Sequence, residues 1–183
     1  MKNKIAIIIF ALFVANLAHA QSVAGWIVSG TGSFVHPVPV ADYSNPAFVS
    51  GSTRPSSSQV AIAVARTYRT RFVWKSYRDT LAAGVTATSG SLALTLPASV
   101  NDQSNFLQLL QTYNTATMPA TATIPTTSGS AATVTVAQLY SLVGSYEAQI
   151  AALNSALSQA KATILFSGTA TIPNITLTDV TGT

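Results

Sequence analysis

The apolar positions of the chain change period several times, and each change marks an element. Val64, Tyr68 and Phe72 recur four residues apart, and Trp74, Tyr77 and Leu81 continue an apolar side as far as Gly84. This spacing predicts a first helix, with Ser56, Ser57 and Ser58 as candidate N-caps and Gly84 as its stop. Val85 to Thr88 and Ser91 to Leu96 then run as short β-branched or alternating pieces around Ser89 and Gly90. Leu92, Leu94 and Leu96 share one face, with Ala93 and Thr95 on the other, as in a hairpin closed by Pro97. Ser99 or Asn101 can cap a second helix running to about Tyr113, with Phe106, Leu107, Leu109 and Leu110 as its apolar side. Thr121 to Pro125 and Ala131 to Val134 give two further extended pieces around a Thr-Thr-Ser-Gly-Ser loop.

The clearest local signal follows. Thr135 and Gln138 are spaced as a capping box, and Val134 and Leu139 stand where a hydrophobic staple places them. The helix they open carries Leu139, Val143, Tyr146, Ile150, Leu153, Leu157, Ala160 and Ile164, alternately four and three residues apart. That is a heptad seam. With Gln, Ser, Asn and Ala on its other faces, such a helix needs a partner, either the first two helices or a copy of itself. A homo-oligomer joined through this seam is therefore one expectation and intramolecular packing the other. The helix ends near Phe166 and Gly168, and Thr169 to Thr178 reads as a last strand pair interrupted by Pro173. At the other end, Gln21 to Ser58 is punctuated by Gly25, Gly30, Gly32, Pro37, Pro39, Pro46, Gly51 and Pro55, which predicts short strands and turns. The expected fold class is α+β, with three helices, short antiparallel hairpins, a long C-terminal helix and β-rich irregular arms at both ends. The expected divisions are a leader at 1–20, an arm at 21–58, an α+β domain at 59–166 and a β tail at 167–183.

Composition adds a compartment. Lys2 and Lys4, an apolar run from Ile5 to Leu17, and Ala18-His19-Ala20 before Gln21 form the three-part pattern of a signal peptide cleaved after Ala20. The run is shorter than the roughly 20 residues that span a bilayer core, so no stable membrane anchor is expected after cleavage. The chain is expected to be secreted, periplasmic or at the cell surface. There is no cysteine, which excludes lipid attachment through a cysteine, disulfides, thiolate metal sites and cysteine nucleophiles. Only 8% of residues are charged, and two of the nine basic ones lie in the leader, leaving a small excess over five acids. No nucleic-acid partner is expected from so sparse a charge. Abundant Ala, Ser and Thr instead suit fibre, adhesin or other surface material, whose hydroxyl-rich faces stay solvated without charge.

Candidate chemistry is thin. Past the leader, His36 is the only histidine, so neither a triad nor a histidine metal site can be assembled. Five scattered acids nominate no glycosidase pair. Asp79, one turn from Lys75, predicts a surface ion pair, and Asp102 falls where a carboxylate complements a helix dipole. No catalytic, metal or cofactor residue is nominated, and no cofactor is expected. Arg66, Arg69, Arg71, Lys75 and Arg78 are interleaved with Tyr68, Phe72, Trp74 and Tyr77, a mixture that can bind anions or glycans. Arg66, Arg69 and Lys75 are the candidate contacts for such a surface glycan or a protein partner. A contrasting reading is a secreted hydrolase or ligand-binding protein using Trp26, Phe34, His36 and Asp42, which must then line one pocket.

From about Phe72 to Ile164 the chain resembles a small domain of unknown function found in phage tail-fibre and tail-fibre-assembly proteins. The resemblance rests on an Arg- and aromatic-bearing helix ending in Leu81-Ala82-Ala83-Gly84-Val85 and a hairpin through Gly90. Asp102-Gln103-Ser104-Asn105-Phe106 then opens a helix, an extended segment surrounds Gly129, and Thr135 to Gln138 starts the long final helix. The resemblance covers about half of the chain and implies a structural or attachment module with no catalytic motif. Tail components assemble in the cytoplasm, so the leader suits a bacterial exported protein built on such a module better than a phage accessory protein.

Overall fold

A computed structural model describes residues 22–113 and 120–169. The leader pattern, and all but Thr169 of the strand pair expected at the C-terminal end, lie outside the described residues. Strands β1 (Gly25–Val28), β2 (Val35–Val38) and β3 (Phe48–Ser50) form an antiparallel sheet of order β2-β1-β3. Helix α1 (Ser57–Ala83) leads into the hairpin β4 (Val85–Ser89) and β5 (Leu92–Leu96). Helix α2 (Val100–Thr112), the hairpin β6 (Thr121–Pro125) and β7 (Ala131–Thr135), and helix α3 (Val136–Leu165) complete the order. The architecture is α+β.

The chain divides into two compact units, residues up to Thr67 together with the segment from Ser167, and Tyr68–Phe166. The division falls inside α1, between Thr67 and Tyr68. Its cause is visible in the first unit, where Val60 and Val64 of α1 crowd the turn at Gly32: a Cβ there would stand 3.1 and 3.2 Å from their side chains. The first turns of α1 thus pack with the arm.

The three helices among the described residues begin with the same reciprocal device. Ser56 Oγ accepts from the Gln59 amide while Gln59 Oε1 accepts from the Ser56 amide. Ser99 and Asp102 do the same for α2, and Thr135 and Gln138 for α3. Each pair satisfies backbone donors that the first helical turn leaves without intrahelical partners. Replacing Thr135 by Ala removes the acceptor 3.2 Å from the Gln138 amide. Urea unfolding is expected to show a loss of about 1 kcal/mol, and Thr135→Ser should recover most of it. A Thr135→Ala variant as stable as the wild type would show that the cap contributes nothing.

In the second unit the two hairpins turn alternate residues inward. Val85, Ala87 and Leu96 from the first and Ala122, Ile124 and Val134 from the second are buried, and Phe106 of α2 joins them. Leu139, Leu142, Val143 and Tyr146 of α3 complete one hydrophobic core. The opposite strand faces carry Thr86, Thr88, Thr95, Thr121, Thr123 and Thr133, all exposed. Thr86 faces Thr95 across the first hairpin with their hydroxyls 3.3 Å apart, and Thr123 pairs with Thr133 across the second. Helix α3 lies along β4, where the Ser145 hydroxyl accepts from the Thr88 amide at 3.0 Å and covers an edge donor of the strand.

Candidate functional site

The heptad seam of α3 belongs to the chain's own fold. Leu139, Val143, Tyr146, Leu157, Ala160 and Ile164 are buried, whereas Ile150 and Leu153 are partly so and pack against the core. Leu142 and Ala156 are buried as well. Leu142 turns the start of the seam into an i, i+3, i+4, i+7 stripe, the broad face of a helix lying on sheets, not the narrow seam of a coiled coil. Of the eight side chains expected to form a self-association surface, six are thus already buried within one copy of the chain. Ile150→Asp is expected to lower the unfolding midpoint and leave the solution mass by light scattering as in the wild type. A change of mass without loss of stability would restore the seam to a subunit interface.

Leu107 also departs from expectation. It lies one residue, roughly 100° of helix, from the inward Phe106 and is 40% exposed. With Gln103, Ile150 and Asn154 it edges a shallow hollow of about 180 Å³. A second hollow of about 250 Å³ lies among Leu96, Pro97, Phe106, Leu109 and Pro125, with Asp102 and Asn105 as polar members. The Asp102 carboxylate already accepts from the Ser99 amide and hydroxyl, so it serves the start of α2.

The residues proposed for a site in the arm do not converge. In the register of the first sheet Trp26 opposes Pro37 and His36 opposes Ile27, so Trp26 and His36 point to opposite faces. Phe34 is 68% exposed just ahead of β2. Asp42 is exposed in a turn, where its carboxylate accepts from the amide and hydroxyl of Ser44. A pocket shared by these four residues is therefore excluded.

The basic residues of α1 are also regrouped. Arg66 and Lys75 lie on roughly opposite sides of the helix, and Arg69 is about 120° from Lys75, so the three candidate contacts form no common site. The Arg66 guanidinium donates through Nε and Nη2 to the Ser167 carbonyl, and burial lowers its pKa. Arg69 lies 5.5 Å from the centre of the Tyr68 ring. Lys75 pairs with Asp79 at 2.5 Å, as the four-residue spacing predicts.

What α1 does present outward is a different trio. Arg71, Lys75 and Arg78 are all exposed and fall within an arc of roughly 60°. Among the described residues Arg71 and Arg78 meet no acid. Tyr68 is 62% and Phe72 36% exposed on one flank of this stripe. On the other flank is Trp74, packed edge-on against Tyr77, with Lys161 of α3 5.1 Å from its ring centre. The opposite side of the helix carries Val73, which is buried and holds this face outward. The sequence holds the signal, an i, i+4, i+7 spacing at 71, 75 and 78, but grouping basic residues by their nearness along the chain conceals it.

The described residues thus define an α+β chain with hydroxyl-faced hairpins and one aromatic-flanked basic helix face. Comparison with family models, with curated proteins and with solved structures finds no match to it.

Proposed function

We propose that this chain is an exported, non-enzymatic structural or surface-interaction module. The observation that carries the reading is the outward face of α1, where Tyr68, Phe72 and Trp74 stay exposed beside Arg71, Lys75 and Arg78 in a chain otherwise poor in charge. Large exposed rings grouped with cations are a costly surface for a monomer to keep and are what a binding surface uses. The exposed Thr pairs of the two hairpins add hydroxyl faces that remain wet without charge. The three-part pattern at 1–20 supports export. Self-association through α3 forms no part of the proposal.

The test is to express the full chain in a bacterial host and determine the address and N-terminus of the product by fractionation and intact mass. The expected product begins at Gln21, lies outside the cytoplasm and adsorbs to washed cells at low salt. A product that keeps Met1 and stays in the cytoplasm, or an exported one that adsorbs to nothing, would overturn the reading.

A further inference from the structure

The line of cations on α1 has a spacing that selects among anionic partners. Arg71, Lys75 and Arg78 advance along one side of the helix by four and then three residues, about 10 Å end to end at 1.5 Å per residue. They form a row one side chain wide, and Asp79 engages the middle one. Arg71 and Arg78 therefore remain as two cations borne on backbone positions about 10 Å apart along the helix axis, with the exposed rings of Tyr68 and Phe72 alongside. Duplex nucleic acid carries one charge per ≈ 1.7 Å of axis and is held by many phosphate contacts, far more than this row can supply. An anionic bilayer is met by a continuous apolar helix face sunk below a basic one, whereas the buried side of α1 faces its own fold through Val73. A linear polysaccharide with one carboxylate on alternate sugars presents widely spaced single charges and, between them, flat sugar faces rich in C–H groups. Exposed aromatic rings offer matching apolar surfaces.

We infer that the α1 face formed by Arg71, Lys75 and Arg78, with Tyr68 and Phe72 beside them, binds a linear carboxylated polysaccharide. The two free guanidinium groups engage successive carboxylates and the rings pack on the neutral sugars between. This inference names a ligand class for the interaction module proposed above and rests on that reading.

The test uses the full chain and hyaluronate, which has one carboxylate per disaccharide, with binding measured by affinity electrophoresis at low and at 0.3 M salt. Arg71→Glu and Arg78→Glu are each expected to weaken binding about tenfold, and salt to weaken the wild type. Arg54→Glu, the same charge change at an exposed residue of the first unit, should leave affinity within about twofold if the row and not net charge is read. Phe72→Ala should also weaken binding. Circular dichroism confirms folding, and Arg71→Gln or Arg78→Gln replaces the corresponding reversal if it unfolds. Failure of the wild type to bind, equal binding to neutral dextran, or equal losses from Arg54→Glu would overturn the inference. So would tighter capture of oligothymidylate or of phosphatidylglycerol vesicles by the same face. None of these outcomes changes the address or the N-terminus, which test the proposed function separately.

Discussion

Tyr146→Ala is expected to cost the second unit about 3–5 kcal/mol of stability, a large share of what a domain of this size has, for truncating a fully buried aromatic side chain. Tyr146 is 2% exposed, and its ring meets Phe106 edge-on with centres 5.0 Å apart. Its hydroxyl donates to the Pro97 carbonyl at 2.8 Å, tying α3 to the segment that joins β5 to α2. Tyr146→Phe keeps the ring and removes only that bond, so chemical denaturation should show a loss of about 1 kcal/mol. Tyr146→Phe and the wild type also separate in alkali. Burial, and after it the Asp102 carboxylate, raises the Tyr146 pKa from its ordinary 10.0 to about 12. The folded chain therefore holds this proton where the unfolded chain has begun to lose it. The stability this contributes is intact below pH 10 and declines as the pH rises toward 12. The decline should be smaller in Tyr146→Phe than in the wild type. Identical alkaline profiles would show that the hydroxyl is not held protonated by the fold.

The second large effect is expected at Gly84, which joins α1 to β4 with φ +89°. A Cβ there would stand 2.7 Å from the Leu96 carbonyl oxygen and closer still to Thr127 Cγ2. Here the end of α1, the first hairpin and the loop of the second hairpin meet, and the Thr127 amide donates to the Thr95 carbonyl at 3.0 Å. Gly84→Val must accept a left-handed backbone and push two neighbours apart, for a combined loss on the order of 3 kcal/mol or more. Gly90 has a similar φ of +60° but open space around the position of its Cβ. Gly90→Ala should therefore show the backbone term alone, about 1 kcal/mol. Equal losses at the two positions in thermal or urea unfolding would show that close approach at Gly84 does not matter.

Much of the fold was legible in the sequence because its signals are local. The capping box of α3, the hairpin around Gly90, the stop at Gly84 and the ion pair of Lys75 with Asp79 each involve residues within a few positions of one another. Side-chain period and backbone hydrogen bonding decide such features before any distant contact forms. The angular relation of Arg71, Lys75 and Arg78 was legible in the same way, since a helix fixes it.

Tertiary structure decided which faces are covered and by what. The alternation along α3 announced an apolar stripe, and the two hairpins meet its first turns, Leu139 to Tyr146, in one core. Only the burial of Val73 decided that the side of α1 carrying Arg71, Lys75 and Arg78 faces outward. Strand register placed Trp26 and His36 on opposite faces of the first sheet. The sequence by itself thus determined the elements, their ends and the side each could offer. Pairing between residues tens of positions apart then chose which apolar side met which, because burial rewards any sufficiently large apolar partner and carries no address of its own.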